Sequence, residues 1–131
     1  MKDLRHSQER YTHLCRMALE SYYHYGSDAL IYLEKQQWEE AEKLLRRQCV
    51  SFHYFETYYL KNSEAGKNYL HQELQKLWEN IEVQDREIIK ILTEMKEDLR
   101  LQKASTVRAK IALENFLSEK KRDSSYISAL I

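Results

Sequence analysis

Proline is absent from the 131 residues and glycine occurs twice, where average usage gives roughly seven and nine. Without them the chain has few places for the tight turns of hairpins, sandwiches, barrels or βαβ units. Valine is scarce, while Glu, Lys, Leu, Gln and Arg, all helix formers, abound. Leu, Ile, Val and Phe together make up about a quarter of the chain, above the range below about 20% that signals disorder. Composition therefore predicts an all-α domain.

A charge surplus is missing too. Lys+Arg and Asp+Glu both total 21, so the formal net charge is zero. Nucleic-acid binders carry a basic excess to displace counterions, and none is present here, so no nucleic-acid partner is expected. The basic clusters Arg46-Arg47 and Lys120-Lys121-Arg122 are short and read as solvated positions. No apolar run approaches the roughly 20 residues of a membrane span. The segment Met1-Lys2-Asp3-Leu4-Arg5-His6 lacks the apolar stretch of a signal peptide, and the cytoplasm is the expected compartment. Cys15 and Cys49, far apart and each among apolar helical positions, read as buried thiols.

Three helical stretches carry the pattern. In the first, Tyr11, Cys15, Ala18, Tyr22, Tyr25, Ala29 and Tyr32 alternate by four and three, one stripe of a helix over 3–35. Gly26 marks a potential kink, with Ser27-Asp28 placed to cap a restarted helix. The second, 38–61, repeats the spacing through Trp38, Ala41, Leu45, Gln48, Phe52, Phe55 and Tyr59. Asn62-Ser63-Glu64-Ala65-Gly66 is the one turn-like cluster, with Asn62 and Gly66 suited to left-handed angles.

The third stretch holds a near-heptad seam: Leu70, Leu74, Leu77, Ile81, Gln84, Ile88, Ile91, Met95 and Leu99, with Trp78 and Leu92 beside it. Unbroken from Lys67 to Glu119 it would be about 80 Å long, far beyond its neighbours. The seam loses its apolar character at Gln102, Lys103 and Ser105-Thr106 and resumes at Val107, Ile111, Leu113, Phe116 and Leu117. Helices over 67–103 and 106–119 are therefore expected, with 120–131 a flexible tail whose Ile127, Leu130 and Ile131 are able to dock. The architecture is an antiparallel bundle of three long helices and a short C-terminal one, packed as in coiled coils.

Enzymatic motifs are lacking: no glycine-rich phosphate loop, Gly-x-Ser-x-Gly, Cys-x-x-Cys or His-Glu-x-x-His occurs. No histidine follows a glutamate by three residues, as a di-iron bundle requires. Cys49 and His53 stand one helical turn apart, but two ligands do not close a metal site, so no metal or cofactor is expected. The ten tyrosines, crowded at Tyr22, Tyr23, Tyr25, Tyr32, Tyr54, Tyr58 and Tyr59, fill a core and leave rings over for a partner.

A resemblance bears on function. Glu34-Lys35-Gln36-Gln37-Trp38-Glu39-Glu40, leading into Leu44-Leu45-Arg46-Arg47, looks like the helix-turn-helix of flagellar export chaperones of the FliT and FlgN type. Ile81-Glu82-Val83-Gln84-Asp85-Arg86-Glu87-Ile88-Ile89-Lys90-Ile91-Leu92 resembles their segment of an apolar residue, a polar one and paired apolar ones, with Gln84-Asp85 where Asn is usual. Length and helix order resemble theirs over about residues 5–117. The resemblance implies a cytoplasmic, non-enzymatic protein that holds the amphipathic C-terminal helix of a flagellar cap or hook-filament junction protein. It implies delivery of that client to the export gate and its ATPase.

On this reading an exposed groove of Ile81, Gln84, Ile88, Ile91, Leu92, Met95 and Leu99 receives the client's anchors. Val107, Ile111, Phe116 and Leu117 form a segment that competes for it. Two other readings stand beside this one. A coiled-coil adaptor of a secretion ATPase predicts an uninterrupted helix from 67 to 119, and a metal-holding bundle predicts use of Cys49 and His53. A spare apolar stripe is satisfied equally by self-pairing, which leaves a homodimer open.

Overall fold

The computed structural model describes the backbone of residues 2–101 and 107–130, and the side chains of residues 9–98 and 110–130. It is all-α, with five helices among the described residues: α1 (Lys2–Glu34), α2 (Trp38–Lys61), α3 (Glu64–Glu73), α4 (Gln75–Leu101) and α5 (Val107–Leu130). The boundary expected at 103–106 lies outside the described residues.

The turn between α1 and α2 is made without glycine. Gln37 N donates to Tyr32 O at 2.8 Å and Gln36 N to Leu33 O at 3.1 Å, with Gln36 left-handed at φ 59°. This is the Schellman arrangement, in which two amides satisfy the last carbonyls of a helix. Asn62, by contrast, is extended (φ −80°), and neither glycine has a positive φ. Ser63 caps α3 by accepting from Gly66 N at 3.0 Å, so the helix starts before the expected residue 67.

The long third helix is interrupted at Leu74, where φ is −110° and ψ 20°. The Leu70 carbonyl there takes two donors, Leu74 N at 3.0 Å and the Trp78 indole at 3.5 Å. The helical bonds on either side of Leu74 persist, with Trp78 N donating to Leu74 O at 2.9 Å, and the indole adds a second, longer bond to the Leu70 carbonyl. Gly26 does not break α1. It is buried, and a Cβ there would collide with Gln84 Oε1 of α4, so its role is close approach.

α1 packs mainly on α2, and α4 on α5; α1 also touches α4, and α2 touches α5. Two apolar clusters fill the space between. One joins Leu19 and Tyr22 to Phe52, Phe55, Trp78, Ile81 and Ile127. The other joins Ala29, Leu33 and Leu45 to Ile88, Leu92, Leu113 and Leu117. The order of these residues makes α1 run parallel to α4 and α2 parallel to α5. α3, packed on α1 and α4, carries the chain across one end.

The expected tail at 120–131 is corrected by this arrangement. α5 continues to Leu130, Ile127 is fully buried, and Tyr126 meets the Phe52 ring edge-on at 5.5 Å. Lys120, expected in solvent, is buried as well. Apolar groups spaced along the inward face of α5 dock it for its whole described length.

Candidate functional site

Between the two apolar clusters lies a polar layer to which four helices contribute. α1 supplies Tyr22, α2 Gln48, α4 Gln84 and Asp85, and α5 Lys120, all buried. Lys120 Nζ sits 2.7 Å from Asp85 Oδ1, and donates to Gln48 Oε1 at 2.6 Å and to Tyr22 Oη at 2.7 Å. Tyr22 Oη in turn donates to Asp85 Oδ1 at 2.9 Å. The Gln48 amide nitrogen donates to the Tyr22 carbonyl at 3.0 Å. Gln84 donates to the Tyr23 carbonyl at 2.9 Å and to Ser27 Oγ at 3.0 Å. The layer therefore pins α1 to α4 through Gln84, α1 to α2 through Gln48, and α5 to all three through Lys120.

Two acceptors in and beside this layer are unsatisfied among the described residues. Asp85 Oδ2 and Asp123 Oδ1 are buried and accept no hydrogen bond. Arg122 Nε stands 3.7 Å from Asp123 Oδ1. Burial pushes the Asp123 carboxyl up to about 6, against the pull of Lys120, Arg122 and His53. Burial also lowers the Lys120 ammonium below the ordinary lysine value, with Asp85 acting in the opposite direction. Tyr22 is raised well above the usual phenol range, first by burial and then by Asp85.

A buried ion pair of this kind contributes little net stability over apolar residues of the same volume. Removing one partner alone is costly, because the other remains charged and enclosed. The layer thus fixes the register of α5 more than it strengthens its attachment.

The strip expected to lie open is filled. Ile81, Gln84, Ile88 and Leu92 are buried; Ile91 and Met95 are half-buried against the second cluster. The expectation of an exposed groove along α4 is corrected, because α5 occupies it. The side chains of Leu99 and Val107 lie outside the described residues. In the expected competing segment Leu117 is buried and Phe116 is half-buried, meeting Trp38 edge-on at 5.9 Å. Ile111 instead faces outward, 52% exposed. With Val50, Cys49 and Phe116 it lines a groove of about 790 Å³ where α5 meets α2.

Sequence reasoning placed Gln48 and Gln84 on the seams of their helices but not in a shared layer. It missed Tyr22, Asp85 and Lys120 as partners; the signal was polar residues recurring at seam positions. Cys49 Sγ lies 3.9 Å from Glu119 Oε2. Among the described residues no three His, Cys, Asp or Glu side chains group as a metal site. Nor is any described helix long and apolar enough to cross a membrane. Compared with family models, curated proteins and solved structures, the chain matches none of them.

Proposed function

We propose that this chain is a cytoplasmic helix-binding protein of the export-chaperone kind, and that α5 holds the place of its client. The client is the amphipathic C-terminal helix of a flagellar, type III secretion substrate such as a cap or hook-filament junction protein. Binding keeps the client from assembling early, and the complex is then passed to the export apparatus and its ATPase. No catalytic step belongs to this role.

The observation that carries the reading is the seat of α5. A single amphipathic helix lies on the α4 seam of Ile81, Ile88 and Leu92, using Leu113, Leu117 and Ile127 around one buried ion pair. That is the geometry of a helix in a groove, with the occupant supplied in cis. Attachment through a few apolar anchors and a pair of small net worth suits an occupant that must leave. The groove at Val50 and Ile111 marks the edge of α5 that is left uncovered.

Glu119→Cys, placed beside Cys49, provides the test. Oxidised, the two thiols lock α5 to α2; reduced, they free it. Calorimetry with C-terminal helices of flagellar cap and junction proteins should show binding to the reduced chain and its loss on oxidation. Equal binding in both states would mean that the client does not replace α5, and capture of neither helix would remove the flagellar reading.

A further inference from the structure

The surroundings of Lys120 say more about what the trough accepts. Three acceptor atoms from three helices converge on its ammonium: Asp85 Oδ1, Gln48 Oε1 and Tyr22 Oη, at 2.7, 2.6 and 2.7 Å. The donors of these groups are already committed. Tyr22 gives its proton to Asp85, and the Gln48 amide gives one to the Tyr22 carbonyl. Gln84 is turned to α1 by its bonds to Tyr23 O and Ser27 Oγ, and Gly26 leaves the room it needs. What faces α5 is therefore a set of lone pairs, that of the Tyr22 hydroxyl among them.

An ammonium brings three N–H donors and no acceptor, which matches three converging acceptors. An apolar side chain in its place leaves Asp85 buried and unpaired. A guanidinium spreads its donors over a planar fork and fits a single point of convergence poorly. Asp85, Gln48 and Tyr22 all lie outside α5, so the cradle belongs to the trough and stays when α5 leaves.

We infer that the trough selects helices carrying an inward lysine in the register of Lys120. Relative to that lysine, apolar anchors fall seven and three residues before it and seven after, as Leu113, Leu117 and Ile127 do in α5. This selection rule rests on the exchange reading above, and it specifies the partner by charge as well as by apolar spacing.

Two full-length variants, Lys120→Met and Asp85→Leu, each weaken the hold on α5 and open the trough to a helix in trans. The probes are a fluorescent peptide of residues 107–130 and the same peptide bearing Lys120→Met, followed by anisotropy. The chain with Lys120→Met should bind the unsubstituted peptide at least about tenfold more tightly than the substituted one. The Asp85→Leu chain should reverse that preference. Equal affinities for the two peptides, or the same preference in both chains, would overturn the lysine rule and leave exchange standing. Absence of binding by either peptide to either chain would overturn exchange itself, and the rule with it.

Discussion

Lys120 Nζ and Asp85 Oδ1 meet at 2.7 Å in the middle of the bundle, with 6% and 1% of their side-chain surfaces left to solvent. A pair so enclosed costs desolvation on both sides, and its attraction roughly returns what was lost. Removing Lys120 alone or Asp85 alone should therefore destabilise the chain by about 3–5 kcal/mol in urea unfolding. The double variant Lys120→Met/Asp85→Leu should recover most of the loss. Additive effects in that cycle would show that the two charges do not depend on each other.

Gly26 tests how tightly α1 and α4 approach. Gly26→Ala puts a methyl group where Gln84 Oε1 lies, so Gln84 must give up its bonds to Tyr23 O and Ser27 Oγ. The expected cost is about 1–3 kcal/mol, read as a lower thermal midpoint. Adding Gln84→Ala should lessen the further harm of Gly26→Ala without abolishing it, since one obstructing amide is gone and that of Gln48 remains. A Gly26→Ala midpoint equal to that of the native chain would contradict the packing described.

The turn at Gln36 offers a gain instead. Its left-handed backbone costs a side-chain-bearing residue about 1 kcal/mol that glycine avoids. Gln36→Gly should raise the unfolding free energy by up to about 1 kcal/mol, whereas Gln36→Val should lower it. Denaturant midpoints of the two variants give the comparison.

Asp123 introduces a pH dependence of definite sign. Its folded-state value of about 6 lies above the ordinary 3.8, so the folded chain binds more protons there between those limits. The group's contribution is favourable at low pH and is lost as pH rises through about 6. A difference of that size amounts to a few kcal/mol, on the order of 3. Asp123→Asn should match the native chain near pH 4 and exceed it in stability at pH 7. Parallel profiles of the two proteins from pH 4 to 7 would show that Asp123 is not buried as described.

Much of this molecule was legible from residue spacing. The stripes Cys15–Ala18–Tyr22 and Leu45–Gln48–Phe52 and the seam through Ile81 and Ile88 all turned inward, because period and burial are linked in a helix. The stop after Glu34 was located by length, yet its chemistry was hidden, since Gln36 lacks the signature of a left-handed cap. The break at Leu74 was invisible too, because neither glycine nor proline marks it in the sequence. The extent of α5 was misjudged because Lys120 and Asp123 interrupt its apolar pattern. Charges read as solvated when taken singly. Only the placement of Asp85, Gln48 and Tyr22 around Lys120 makes a buried lysine tolerable, and that placement is tertiary.

α5 is the last of the five helices to leave the ribosome. At roughly 5–20 residues per second, its 24 residues take on the order of seconds to be translated. The ribosomal exit tunnel still encloses the stretch around Ile88 and Leu92 when α5 begins to be made, so α4 and α5 emerge close together in time. α5 is thus made within reach of the α4 seam that it covers, and that strip spends little time bare.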